Sequence, residues 1–134
     1  MKRVVVSAAT VASPNSAEGI LLTLPAAQLP SDPGGQLVGH NVVDGVLNFT
    51  AGAGTTAVII RVRRGILVGG ALVGQPQTHT LAAAAQASIA FSADDPASGA
   101  TPPTIGQQYV VTIQQTGGSG AGNLVYGVAT TTSS

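Results

Sequence analysis

The side chains of this chain that could carry chemistry are few and scattered. Asp94 and Asp95 stand together before Pro96, and adjacent carboxylates are the kind of group a hard cation needs. Calcium takes about six or more oxygen ligands, so the rest of such a site would have to come from backbone carbonyls or from Asp32 and Asp44. No loop carries the EF-hand ligand spacing, and a solvated turn closed by an Asx hydrogen bond accounts for the same residues. No metal or cofactor is expected. His40 and His79 have no acidic neighbour in sequence and no second His two or four positions away, the spacings that put two imidazoles on one face of a strand or helix. Each is expected as a surface or hydrogen-bonded strand-end histidine. There is no G-x-S-x-G nucleophile elbow, and the glycine-rich segments 52–54 and 117–122 lack the Gly-Lys-Ser/Thr of a phosphate loop. They read as hairpin turns. No catalytic residue is assigned.

Arg61, Arg63 and Arg64 supply three of the five basic residues. On a strand the first two share a side and the third points the other way. With so few ions elsewhere, Arg61 and Arg63 would dominate the local potential and are candidate partner contacts. An outward polar face that shields an edge strand from mispairing explains them equally well.

These residues must be positioned by strands, because apolar residues recur at period two and no long segment repeats at helical period. Residues 3–12 form a first run, and residues 13–37 hold four of the eight prolines as an extended arm. Leu21, Leu22 and Leu24 lie within that arm on a short strand and are further candidate partner contacts. Residues 42–50 place Val43, Leu47 and Phe49 on one face, and residues 55–64 do the same with Val58, Ile60 and Val62. With Gly52 and Gly54 between them, the two runs predict a hairpin. Residues 66–73 read as a short strand broken by Gly69-Gly70. Residues 77–93 read as two strands flanking a loose alanine-rich portion, with a short helix as the other possibility. Tyr109, Val111 and Ile113 mark one face of 107–115, and Leu124, Tyr126 and Val128 an inward face of 123–132. Seven or eight antiparallel strands around a Val/Leu/Ile core imply an all-β two-sheet sandwich, a jelly roll, with an N-terminal arm over 1–37 and the sandwich over 38–134. An immunoglobulin-type sandwich would normally show a core Trp and a cystine, and the chain has neither Trp nor Cys.

Composition narrows the function. Of 134 residues only 7% are charged, with five basic, five acidic and a formal net charge of zero, against about 25% charged in ordinary domains. Scaling of surface with mass leaves about one charge per 640 Å² of a folded monomer, too few to keep it dispersed by charge. Zero net charge argues against a nucleic-acid binder, which needs clustered cations. No run of 18 apolar residues suggests a membrane-spanning helix. Small, uncharged side chains desolvate cheaply, and obligate interfaces are depleted in Lys, Glu and Asp. An assembly component is the expectation.

The segments GVLNFTAGAGTTAVIIRVRRG (45–65), THTLAAAAQASIAFSADDP (78–96) and GQQYVVTIQQTGGSGAGNLVYGVATTTS (106–133) resemble the tumour-necrosis-factor-like jelly roll of tailed-bacteriophage head decoration (cement) proteins. That resemblance implies a homotrimer on the outside of the capsid, bound to the major capsid protein, with an N-terminal segment reaching to neighbours. Tyr109 and Tyr126 are then candidates for core or trimer-interface packing. The family also includes fibre and receptor-binding tips, so a tail-tip protein recognising a host glycan is the alternative.

Overall fold

The computed structural model describes residues 2–6, 9–11, 17–25, 39–54, 56–96, 101–104, 106–117 and 122–133. They form nine strands: β1 (Lys2–Val6), β2 (Ala9–Val11), β3 (Gly19–Leu24), β4 (Asn41–Thr50), β5 (Thr56–Arg64), β6 (Leu72–Leu81), β7 (Gln86–Asp95), β8 (Tyr109–Thr116) and β9 (Gly122–Ser133). One sheet runs β1-β9-β4-β7, with β2 also paired to β9, and the other runs β3-β8-β5-β6. Every pairing is antiparallel. With β1 and β2, which pair with β9 in one register, counted as one strand, the order is that of a jelly roll, two Greek keys folded into facing sheets.

Period-two alternation builds the core as the sequence implies. Val43, Leu47 and Phe49 of β4 face Val58, Ile60 and Val62 of β5 across the sandwich, joined by Ile89 and Phe91 of β7, all buried. The alanine-rich portion is a short loop, Ala82–Ala85, between β6 and β7, with Ala84 at a φ of 56°.

The connections differ from expectation. The pair β4 and β5 is not a hairpin, because the strands lie in opposite sheets. Residues 51–54 instead lead from β4 toward the opposite sheet. Gly54 takes a φ of 82°, and the crossing is tied down where Ala51 N donates to Ala85 O (2.8 Å) and Ala84 N to Gly52 O (2.9 Å). The β8–β9 connection likewise joins the two sheets rather than closing a hairpin. The hairpin that does form is β5–β6, whose turn takes up residues 65–71. Gly69-Gly70 therefore lies in that turn, and β6 begins only at Leu72.

Two register shifts re-aim side chains. Between Asn48 and Phe49 the partners on β9 jump from Tyr126 to Leu124, so Val125 is extra. A bulge of this kind reverses which side chains face inward. Leu124, Gly127 and Ala129 are buried, whereas Tyr126 and Val128 pair with Asn48 and Val46 on the outer, half-buried face. The inward placement expected for Tyr126 and Val128 is thus corrected. On β3 a shift between Ile20 and Leu22 turns Leu22 and Leu24 fully into the core, with Leu21 partly buried against it. Leu22 and Leu24 have no surface left for a partner. The strands up to residue 24 belong to both sheets, so the stretch assigned before residue 38 supplies edge strands; residues 13–16 and 26–37 of the expected arm lie outside the described residues.

Candidate interaction surface

Strand β5 sends Arg61 and Arg63 to the outer face of its sheet and Arg64 toward the opposite side, as its alternation requires. The two outward guanidiniums do not form a free cationic spot. Arg63 grips Glu18 with both prongs, Nε to Oε1 at 2.7 Å and Nη2 to Oε2 at 3.0 Å, while its Nη1 donates to Gly70 O at 2.9 Å. Arg61 Nη1 donates to Gln114 Oε1 at 2.9 Å and lies 3.7 Å from Glu18 Oε2. Thr112 Oγ1 donates to the same carboxylate. The hydrogen bonds from Arg63 hold the Glu18 carboxyl below its ordinary range, and Glu18 in turn raises the Arg63 guanidinium. Thr112 and Val110, which also point outward on β8, are completely buried beneath this sheet-spanning network. Nothing in the local sequence of Glu18, 45 residues from Arg63, marks it as the counterion. Only the pairing of β3 beside β8 brings it there.

The third arginine enters a different network. Arg64 binds Asp95 with Nε at 2.8 Å from Oδ2 and Nη2 at 2.6 Å from Oδ1, and its Nη1 donates to Thr101 O at 2.7 Å. The Tyr109 hydroxyl donates to Asp95 Oδ2 at 2.7 Å and accepts from Asn41 Nδ2 at 2.8 Å, which also donates to Thr104 O at 2.8 Å. Burial pushes the Tyr109 phenol up. The side chain is 0% exposed, so Tyr109 is a core residue with no surface for a neighbouring subunit. This polar latch fastens residues 101–104 over one end of the sandwich, helped by Gly39 N donating to Pro103 O at 3.0 Å.

The acidic pair is thereby divided. Asp95 is committed to the latch, and Asp94 is paired with His40, a partner 54 residues away in sequence. Asp44 accepts from Thr130 Oγ1 at 2.9 Å on the outer face of the other sheet. Asp32 lies outside the described residues. Among the described residues no three potential metal ligands gather. His79 is a mid-strand residue of β6 rather than a strand-end one, and its Nε2 is buried without a hydrogen-bond partner.

Apart from the exposed carboxylates Asp44 and Asp94, the described exterior is mostly apolar or neutral. Among the described side chains every Asp, Glu and Arg contacts a polar group of the same chain. The turn after β5 carries Ile66 and Leu67, 54% and 67% exposed, with Leu72 at 42% beside them at the start of β6. Gly65, at a φ of 92°, sets the turn out from the sheet. Tyr126 stays half-buried on the outer face of β9.

No protein-family model matches this sequence, and no curated protein does. Solved structures do match. A structure of infectious bursal disease virus, Gx strain, superposes with a TM-score of 0.58 at 14% identity, over 97% of this chain and 32% of that one. A crystal structure of the T13 particle of the same virus gives a TM-score of 0.60 at 13% identity, over 98% and 31%. The VP2 subviral particle gives 0.52 at 14%, over 97% and 32%. This chain therefore spans about a third of the length of the viral chains it resembles. At such identities the likeness is one of fold: the two-sheet sandwich is the jelly roll found in these virus-particle structures.

Proposed function

We propose that this chain is a non-enzymatic structural protein of a virus particle, and within that class a decoration or cement protein. In this reading it binds the outside of a phage head as a homotrimer against the major capsid protein. The observation that carries the proposal is the poverty of free charge: of the few ions in the chain, every Asp, Glu and Arg among the described side chains is engaged within the chain, leaving an exterior with little charge to spare. Such a surface disperses poorly alone and packs readily against other chains. The jelly roll of virus-particle structures supports the same reading. Ile66 and Leu67 supply apolar anchors for the shell, and Arg61 and Arg63, neutralised in part by Glu18, supply hydrogen-bonding capacity rather than a strong field. Tyr126 is the remaining tyrosine available to a trimer contact. Leu21 contributes only its partly buried edge.

The mechanism is mass action. Each bound copy adds its binding free energy to the assembled lattice, and a trimer touching several shell subunits multiplies it. Apolar burial contributes about 25 cal/mol per Å² before association costs. Particles lacking this protein are expected to rupture at lower temperature and in low salt; identical rupture curves would overturn the proposal. At the anchor, Leu67→Ser removes an apolar group worth about 1–2 kcal/mol per site when covered, so about 5- to 30-fold weaker occupancy of particles is expected. Unchanged occupancy would exclude this turn from the contact.

A further inference from the structure

The two outer faces of the sandwich differ. On the β3-β8-β5-β6 side the surface is crossed by the network of Glu18, Arg61 and Arg63. On the other side β9, β4 and β7 present successive rows of outward side chains. A middle row runs Val128, Val46, Ala90; to one side of it lie Thr130, Asp44 and Ser92, and to the other Tyr126, Asn48 and Ser88. All nine are half-buried or exposed, while Ala129, Leu47 and Ile89 between them point into the core.

The two polar rows are braced within the chain. Thr130 Oγ1 donates to Asp44 Oδ1 at 2.9 Å, and Ser88 Oγ donates to Asn48 Oδ1 at 2.7 Å. Asp44 thus keeps an oxygen to accept with, and Asn48 keeps its amide hydrogens to donate, on either side of an apolar row. Four residues of strand hold them about 14 Å apart, so they cannot meet within one chain. A second copy brings them together.

A twofold axis in the plane of contact, lying along the middle row, turns this face onto its own copy. Val46 then meets Val46, Ala90 meets Ala90 and Val128 meets Val128. Asp44 faces Asn48 of the second copy, Thr130 faces Tyr126, and further out Asp94 faces Gln86, since both lie four residues from Ala90. Each carboxylate meets an amide that can donate to it. An axis along β4, or along the Asp44 row, would set Asp44 against Asp44, and like charges so placed oppose association. The area is sufficient. Four strands about 4.8 Å apart and ten residues long make a face of roughly 650 Å², within the range of about 600–1,000 Å² that a stable pair buries on each partner. Aligned sheets cross at about 30°, and Asp44 and Asn48 lie close enough to Val46 to stay opposed through that rotation. We propose that this face is the docking site for a second copy of the chain, stacked sheet on sheet about the Val128–Val46–Ala90 row. The contact takes in Tyr126, so it competes with a threefold contact built on that side chain, and it does not rest on the decoration role.

The test exchanges the two facing groups. In the full-length chain, sedimentation is expected to show self-association that rises with concentration. Asn48→Asp sets carboxylate against carboxylate at two symmetric places, while Ser88 can still donate to the new side chain. The dissociation constant is expected to rise at least about tenfold, with an unchanged circular dichroism spectrum. Adding Asp44→Asn rebuilds the pair with its members exchanged, and should return the constant to within about threefold of the original. A double variant as weak as the single one would overturn the proposal, because neither a folding defect nor a contact elsewhere is repaired by the exchange. Val46→Asp, on the axis, is expected to abolish association, and Thr78→Asp, exposed on β6 of the other sheet, to leave it unchanged. Association that persists through Val46→Asp and Asn48→Asp would refute the docking and place the contact elsewhere. A chain that stays monomeric at every concentration yet occupies capsid particles would also refute it, and would leave the decoration role standing.

Discussion

Replacing Asp95 by alanine tests whether the buried latch stabilises the sandwich. The carboxylate accepts two bonds from Arg64 and one from the Tyr109 hydroxyl, and its side chain is only 6% exposed. Removing one partner of a buried pair costs about 3–5 kcal/mol because the other charge stays behind unpaired. Here the Arg64 side chain is 24% exposed and can turn partly into water, which trims the loss. Tyr109 cannot follow and loses its acceptor in the core, although Asn41 still donates to it. We expect a loss of about 3 kcal/mol for Asp95→Ala, a fall in Tm of roughly 10 °C for a domain of this size. Calorimetry and urea unfolding should agree on it. Arg64→Ala in the same background should add little, giving a coupling energy of at least about 1.5 kcal/mol in the double-mutant cycle. A loss below about 1 kcal/mol, or additive single changes, would refute the reasoning.

Other outcomes follow from the same structure. The Glu18 carboxyl is held low chiefly by its hydrogen bonds from Arg63; its contribution is full above the ordinary carboxylate range and is lost as pH falls through the depressed value. Glu18→Gln should lower stability at pH 7 by about 1–2 kcal/mol and flatten the acid limb of a Tm-against-pH curve. Tyr109 has the opposite sense: its raised phenol keeps its proton in the fold, so stability is present below the ordinary value of about 10 and falls as pH rises beyond it. Tyr109→Phe should reduce that alkaline fall while costing about 1–2 kcal/mol at neutral pH. A Cβ at Gly45 would run into Val128 O and stand 2.8 Å from the Phe91 ring, so Gly45→Ala should lose about 1–3 kcal/mol in urea unfolding.

Alternation made the core legible before any coordinates. Spacing alone puts Val43, Leu47 and Phe49 on one face of their strand and Val58, Ile60 and Val62 on one face of theirs, because a strand with one buried face must repeat at period two, and these are the faces the structure buries. The same signal carries no information on which sheet a strand joins. Gly52 and Gly54 permit a sharp reversal in either case, so a crossing between sheets looked like a hairpin. The bulge at Val125 was equally hidden: one extra residue reverses the face of everything beyond it, and Tyr126 went outward while Ala129 went in. The leucines of β3 looked like contact residues because their neighbours are proline-rich, yet pairing with β8 buries Leu22 and Leu24.

By itself the sequence determined the class of fold, the inward residues of most strands and the poverty of charge, since these depend on residue type and on spacings of two. The tertiary structure decided who meets whom. Glu18 with Arg63, Asp95 with Arg64 and Tyr109, and His40 with Asp94 are pairs separated by 45, 31, 14 and 54 positions, and no local pattern encodes such distances. Their meeting depends on strand order in two sheets, which is set by how the whole apolar surface is best enclosed.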